Sequence, residues 1–569
     1  MDLVNRNNKF KEVKGMKKRF TVMLLVLSMV ISSLAGCKSS PTTGGQSEKP
    51  TQAQTTTAPT NSSESGEKEA IAVDAFAGTT LKIAVYKHTM DKSEDFNEKP
   101  AFKAAEEATG IHIEWIYVDS GSQEEKVNIM LTSDMPDAIF GLLTQKQVST
   151  NMDSFYDLSQ EGLLETYAPN VVADYLTMDS GMGAVTWPDG SIRTLMTGRQ
   201  VSYVNSADGI MVINKAWLDQ LGLSIPTTAE EFYNVLCAFR DNDMNGNGDP
   251  TDEIPLEISE SNWAAKVMNL ANPWGIAGYA ANNESAFLKV EDGQVKGTVN
   301  TQEFRSFLEY YNKLAKEGLL DVEGFSQTNE QYYAKLKEGV VGCYFAWTPY
   351  SNMSAEEAAN WVVLPPFQAI EGVTPVKTGE KNRLQADRCG FAISSESKNV
   401  EAILTWWNYL SSSTEMKYTV RFGEQGGKWN IVDGKVMTQL PDEVTDEFNE
   451  TNYEYTYGMV DRGPFIRIDE EVTVMENPTD PTYIRELMVD QVADYLATEY
   501  LPTKFADSEK INERSFIEIE LFSEINNFVA TSIVEGLTDE SWNKYIAKLD
   551  TLQYGAWIDW YQKFYNGEY

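Results

Sequence analysis

Histidine is nearly absent from this chain, with 2 in 569 residues, His88 and His112. HExxH motifs and most histidine-based zinc sites are thereby excluded, because they need several imidazoles converging on one ion. Cysteine is also scarce, 4 in all, and no CxxC pair occurs. Apart from Cys37 only Cys237, Cys343 and Cys389 remain, an odd number that argues against a disulfide framework. One pair stays geometrically open in an oxidising compartment, but the expectation is three buried thiols acting as small apolar residues. Positive charge is short as well: 47 Lys and Arg face 85 Asp and Glu, for a net charge of −38. A nucleic-acid binder needs a positive surface to displace counterions from phosphates, so that class is excluded. An acidic surface suits solubility outside the cell and disfavours a polyanionic ligand. GxSxG, P-loop and dinucleotide fingerprints are missing, which removes the sequence support for those chemistries. A carboxylate-pair enzyme needs none of them and remains open.

What is present begins at the N-terminus. Lys17-Lys18-Arg19 precedes the apolar run Phe20 to Ile31, and Leu34-Ala35-Gly36-Cys37 follows. A basic region, an apolar core and small residues before a cleavage point make a secretory signal over 1–36. Leu-Ala-Gly-Cys resembles the bacterial lipobox, in which cleavage leaves Cys37 as the lipidated first residue. The apolar run is shorter than the ~20 residues a membrane-spanning helix needs. Residues 38 to about 70 hold almost no large apolar side chains and cannot offset their own ordering entropy. The segment 37–78 is therefore expected to be a lipid-anchored tether, reaching about 30–38 Å by random-coil statistics. Removing the leader, with seven Lys/Arg against two Asp/Glu, takes the mature charge to near −43. The ~490 residues left exceed one hydrophobic core, so two lobes are expected.

The densest cluster of oxygen donors is Asp243-Met-Asn245-Gly-Asn247-Gly-Asp249-Pro-Thr-Asp252-Glu253. Alternate side chains plus a backbone carbonyl can supply the about 6–8 oxygens that Ca²⁺ takes, provided a glycine lets the loop turn. Two registers are open across 241–254. From Asp241 the pattern D-x-D-x-N-G-x₅-D matches an EF-hand loop with Asp252 last. From Asp243 the turn glycine is Gly248, and Asp252 and Glu253 close the site. The alternative is a solvated Asn/Gly turn. The loop is read as lying between helices, which points to a structural ion.

Along the body, Leu81–Val85 alternates as a strand, 101–109 reads as a helix closed by Gly110, and 111–118 as a second strand. A helix at 123–132 and a short strand ending at Phe140 follow. Strands alternating with helices imply an α/β fold with a parallel sheet, whose ligands sit at the carboxyl ends of the strands. Tyr86 and His88, just past the first strand, are candidate lining residues.

Asn214-Lys-Ala-Trp-Leu-Asp-Gln-Leu-Gly-Leu-Ser-Ile-Pro-Thr-Thr-Ala-Glu-Glu-Phe232 resembles the signature segment of family 1 extracellular solute-binding proteins. Leu314–Leu320, Gly339–Trp347, Leu364–Phe367, Gly390–Ser394, Phe422–Trp429, Asp539–Ile546 and Trp560–Tyr565 keep that family's order, over about 79–569. The likeness is to the large subgroup that includes Gram-positive lipoproteins and alginate-oligosaccharide-binding proteins. The resemblance implies a bilobal, periplasmic-binding-protein-like fold (type II-like) with about three crossings between lobes. Lobe 1 is expected at 79–205 plus 388–430, and lobe 2 at 206–387 plus 431–569. Carried over residue by residue, the calcium ligands are Asp243, Asn245, Asn247, the Asp249 carbonyl, Asp252 and Glu253. One residue is inserted here relative to the usual loop, which leaves Asp241 as a substitute.

The resemblance further implies a monomeric, lipid-anchored receptor on the outer face of the cell membrane, of Gram-positive type. It would deliver an oligosaccharide to the transmembrane subunits of an ABC-type permease and would not be an enzyme. The 13 Trp and 27 Tyr agree with a sugar ligand, although aromatics dominate core packing anyway. Trp347 is the first candidate, at the place where related maltose-binding proteins present a stacking tryptophan; Trp274, Tyr350, Tyr86 and Trp429 follow. Two other classes stay open: a surface glycosidase or lyase with acids about 5–10 Å apart, and an adhesion or scaffold protein.

Overall fold

The computed structural model describes residues 71–569 other than 120, 179, 200–205, 278–286, 381–384, 446–447, 461 and 465–480. The signal peptide, Cys37 and most of the tether lie outside the described residues. The strands used below are β1 (Thr80–Lys87), β2 (His112–Asp119), β3 (Ala138–Phe140), β4 (Leu195–Arg199), β5 (Ile210–Asn214), β6 (Cys343–Ala346), β7 (Trp361–Val363), β8 (Lys377–Glu380), β9 (Gln385–Ile393) and β10 (Leu496–Ala497). The helices are α1 (Pro100–Thr109), α2 (Gln123–Thr132), α3 (Ala229–Arg240), α4 (Asn329–Glu338), α5 (Val400–Tyr409), α6 (Glu450–Tyr457), α7 (Pro481–Asp490) and α8 (Ser508–Val534).

The first sheet has the order β2-β1-β3-β9-β4. β1 runs parallel to β2 and β3, as the alternation of strand and helix predicts. β9 and β4 join antiparallel, so the sheet is mixed. Successive side chains of a strand point to opposite faces. Leu81, Ile83 and Val85 therefore share one cluster with Phe102 of α1 and Trp406 and Trp407 of α5. Ala84 and Tyr86 face a second, larger cluster that continues into the other lobe. Both faces of β1 are covered from Ile83 to Tyr86, while Lys82 and alternate residues of the edge strand β2 stay exposed.

The second sheet is β6-β5-β7, antiparallel throughout. Between the two sheets the chain crosses in adjacent strands. Ala207 bridges Gly379, the Asp208 N–H donates to the Thr378 carbonyl, and the Glu380 N–H donates to Ser206. A further passage lies beside β4, where Thr197 bridges Pro464 and the Gly198 N–H donates to Gly463. Residues 455–458 and 462–464 contact elements of the first sheet's lobe. The Lys99 ammonium explains this: buried with Asp91 at 3.0 Å, it also donates to the carbonyls of Tyr455, Thr456 and Gly458. Cys237, Cys343 and Cys389 are all free thiols.

The donor-rich loop follows α3, but no helix follows the loop. The chain leaves it extended, with Ile254 bridged parallel to Val341 and the Glu257 N–H donating to Cys343 of β6. Glu257 is wholly buried. Its Oε1 accepts from Gln327 Nε2, and its Oε2 lies 3.8 Å from Lys335 Nζ. Lys335 is engaged more closely with Asp321 and with Glu323. Burial first, and the negative charge of Asp321 second, push the Glu257 pKa from 4.5 to about 8.

This has a direct consequence for stability. Below the unfolded pKa the carboxyl is neutral in both states. Between about 4.5 and about 8 only the unfolded chain ionises, so the stability it contributes is lost as pH rises through that window. Glu257→Gln removes the titration. The stability of wild type minus that of the variant, from urea melts, should fall by about 2 kcal/mol or more between roughly pH 5 and pH 8, given ~1.4 kcal/mol per pKa unit. A difference independent of pH contradicts this account.

Candidate ligand-binding site

At the end of the first sheet, β1 delivers Tyr86 and then His88. The Arg462 guanidinium lies over the Tyr86 ring, 3.8 Å from its centroid, and donates to the Gly141 carbonyl just past β3. The His88 ring stacks on Tyr455 at 3.9 Å and 7°. Its Nδ1 accepts the Met90 N–H at 3.1 Å. Burial, and then the Arg462 charge, lower the His88 pKa and favour the neutral ring. With Nδ1 accepting, the proton of the neutral tautomer sits on Nε2, which is then a donor. Arg462 and Tyr455 had no sequence signal. Both arrive on the segment that Lys99 pins down, and Arg462 is 321 residues from Gly141.

At the end of the second sheet, Ile210 of β5 pairs with Ala346 of β6. Trp347 follows directly, and Tyr350 lies on the short helix Pro349–Ser351; both are half-buried. Arg485 of α7 is buried beneath them. It donates to the Trp347 carbonyl at 2.9 Å, to Asp208 at 3.2 Å and to Ala207, with its guanidinium 5.9 Å from the Trp347 ring centroid. Burial lowers its pKa to about 9 against the pull of Asp208, which leaves it charged at neutral pH.

Two candidate aromatics are corrected by their surroundings. Trp274 is 2 % exposed, its ring packed against Phe307, Tyr310, Tyr311 and Phe367 and its Nε1 donating to Ser306. Trp429 is 0 % exposed among Tyr418, Phe422 and Val436, and donates to the Gly423 carbonyl at 2.8 Å. Their apolar area went into core packing, so neither presents a ring face to a ligand. Tyr86, near the end of β1, is also buried, at 8 %, with Arg462 over its ring, whereas Trp347 and Tyr350, past the end of β6, are half-buried.

In the donor-rich loop, Asp243 accepts from the N–H groups of Gly246 (2.7 Å) and Gly248 (2.9 Å). Those two glycines, at φ 75° and 92°, supply the left-handed turns the wrap needs. Asn245 Oδ1 accepts from the Asn247 N–H, and Asn247 Oδ1 from the Asp249 N–H. Glu253 Oε1 accepts from the Met244 N–H at 2.7 Å, which closes the loop on itself. Asp241 pairs instead with its neighbour Arg240 at 2.8 Å. Among the described residues no three His, Cys, Asp or Glu side chains form a metal-holding group. Two buried carboxylate oxygens here, Asp252 Oδ1 and Glu253 Oε2, nevertheless have no hydrogen-bond partner. Unpaired buried carboxylate oxygens are expensive, and an all-oxygen set around them fits a hard cation.

The half-buried Trp347 and Tyr350 rings at one strand end, and the neutral imidazole N–H and the Arg462 guanidinium at the other, suit a ligand with apolar faces and many hydroxyls. Comparison with known proteins agrees with that chemistry. A family model described as bacterial extracellular solute-binding protein matches residues 93–417. The fructooligosaccharide ABC transporter substrate-binding protein FusA of Streptococcus pneumoniae is 26% identical over 497 residues, covering 83% of this chain and 87% of FusA. Lipoprotein LipO of Bacillus subtilis is 24% identical over 382 residues, covering 64% of this chain and 70% of LipO. FusA in complex with kestose matches the fold with a TM-score of 0.75 at 24% identity, over 86% of this chain and 99% of that one. A FusA EF-hand mutant in complex with fructo-nystose gives a TM-score of 0.74 at 23% identity, over the same shares. These neighbours establish the bilobal architecture. The chain belongs to the bacterial extracellular solute-binding proteins.

Proposed function

We propose that this chain captures an oligosaccharide outside the cell and delivers it to an ABC-type permease. The observation that carries the proposal is that half-buried Trp347 and Tyr350 stand just past β6 in one lobe, while half-buried His88 and Arg462 stand at the end of β1 in the other. Lobes joined by a few adjacent strands close by hinge motion, and a ligand that touches both stabilises the closed population. The relatives named for fructooligosaccharide transport and for kestose binding support a neutral sugar. The chain performs no hydrolysis in this reading. Kestose and other neutral oligosaccharides, tested by calorimetry, small-angle scattering and product analysis, should bind, compact the protein and be recovered intact. Trp347→Ala should lose about tenfold or more in affinity, roughly 1.4 kcal/mol. Turnover of the sugar favours the carboxylate-pair enzyme, and silence toward all of them favours a scaffold.

The lipobox-like Leu34-Ala-Gly-Cys37 supports anchoring of the mature chain through a lipidated Cys37, with the polar tether holding the monomeric lobes near the membrane. LipO, a lipoprotein by name, is in line with this. Cys37→Ser should shift the protein from the membrane fraction to the medium; retention in the membrane at wild-type level removes the anchor from the model.

Asp243, Asn245, Asn247, the Asp249 carbonyl, Asp252 and Glu253 are the proposed ligands of a structural Ca²⁺. The two orphaned buried carboxylate oxygens support the assignment, as does the EF-hand of a related structure. A cation that binds only the folded state adds about 2.7 kcal/mol at a hundredfold excess over Kd. A chelator should therefore lower the melting temperature of wild type and leave that of Asp243→Ala unchanged. A wild-type melt insensitive to chelator rules the ion out.

A further inference from the structure

All 13 tryptophans lie among the described residues, and Trp263 alone is exposed, at 53 %. Its neighbours are the reverse of exposed: Asn262 and Ala264 are both 3 % accessible. The Asn262 amide donates to Asn329 Oδ1 at 2.8 Å and to the Tyr333 hydroxyl at 3.0 Å, both on α4, and its Oδ1 accepts the Ala264 N–H at 2.9 Å. Ser261 Oγ donates to the Gln327 carbonyl at 2.7 Å. The loop is thus bolted on both sides of the indole. Among the described residues, no aromatic ring or cation is stacked on that indole.

The position of the loop gives the exposed ring a purpose. A Cβ placed on Gly209 would lie 2.2 Å from the Ala264 carbonyl oxygen, so only glycine allows this approach. Gly209 immediately precedes Ile210, the residue of β5 that pairs with Ala346 of β6. Ala346 in turn precedes Trp347. Trp263 and Trp347 are therefore carried by the same end of the second sheet. A bare indole on a mobile loop would be an ordinary surface feature. Carried on a fastened backbone at the sheet end that also carries Trp347, it needs little loop ordering when a flat apolar face settles on it.

We propose that Trp263 is a second stacking platform, forming a subsite for one ring of a neutral oligosaccharide whose neighbouring ring contacts Trp347. This rests on the receptor reading and assigns to Trp263 the role expected from sequence for Trp274 and Trp429. Stacking requires a flat ring and not merely an apolar side chain, which sets the design of the test. Calorimetry with kestose, fructo-nystose and other neutral oligosaccharides is run on wild type, Trp263→Ala, Trp263→Leu and Trp263→Phe, with a melting curve for each. For any sugar wild type binds, the alanine and leucine variants should both lose about tenfold or more in affinity, while phenylalanine stays within about threefold. Melting temperatures should stay near wild type, because the removed atoms are exposed. If wild type binds and either the alanine or the leucine variant binds equally well, the Trp263 assignment is overturned while the receptor reading stands. If wild type binds none of the sugars, both fall together.

Discussion

The buried guanidinium of Arg485 ties the second lobe's ligand-facing end to the crossing strands. It donates to the carbonyls of Ala207 and Asp208, where the chain enters the second lobe, and of Trp347, where β6 ends. A cation this deep survives only because several oxygens replace its water, and removing such partners typically costs about 3–5 kcal/mol. The same contacts tie the crossing strand at Ala207 and Asp208 to the end of β6 that carries Trp347.

An acidic chain with few cations places several of them inside. Lys99 holds the carbonyls at the end of α6, Lys428 is buried against Glu450, and Arg485 lies on α7. Lys99 and Lys428 fasten residues around α6, and Arg485 fastens α7 to Ala207, Asp208 and Trp347. Those segments deliver Tyr455 and Arg462 to the first-lobe end and Arg485 to the second. Around those described residues, buried cations meet carbonyls and one carboxylate, while the excess negative charge favours solubility.

The donor-rich loop and the Glu257 cluster belong to one continuous stretch. Glu253 closes the loop, residues 254–257 run beside β6, and Ser261–Ala265 carries Trp263 at the far end. A loop that sits at the end of α3, away from both ligand-facing strand ends, is therefore mechanically upstream of the second-lobe site.

The sequence by itself determined what depends on neighbours a few residues away. Alternating Leu81–Val85, the helix closed by Gly110, the wrapped loop from Asp243 to Glu253 and the family segments from 214 to 565 were all legible, because strand alternation, capping and glycine turns are local chemistry. Two of those local readings needed amendment: β9 and β4 enter the first sheet antiparallel, and an extended segment, not a helix, follows the loop. Only the tertiary structure decided which aromatics face outward. Trp274, Trp429 and Trp263 look alike in sequence, since each is a large apolar ring in a mixed context. Whether such a ring ends in a core or stays exposed is set by how the elements around it pack, as Phe307 and Phe367 close over Trp274 and the Tyr418–Val436 cluster closes over Trp429, while Trp263 is left uncovered. The free energy of those contacts comes from desolvation and packing, which exist only once the chain has folded.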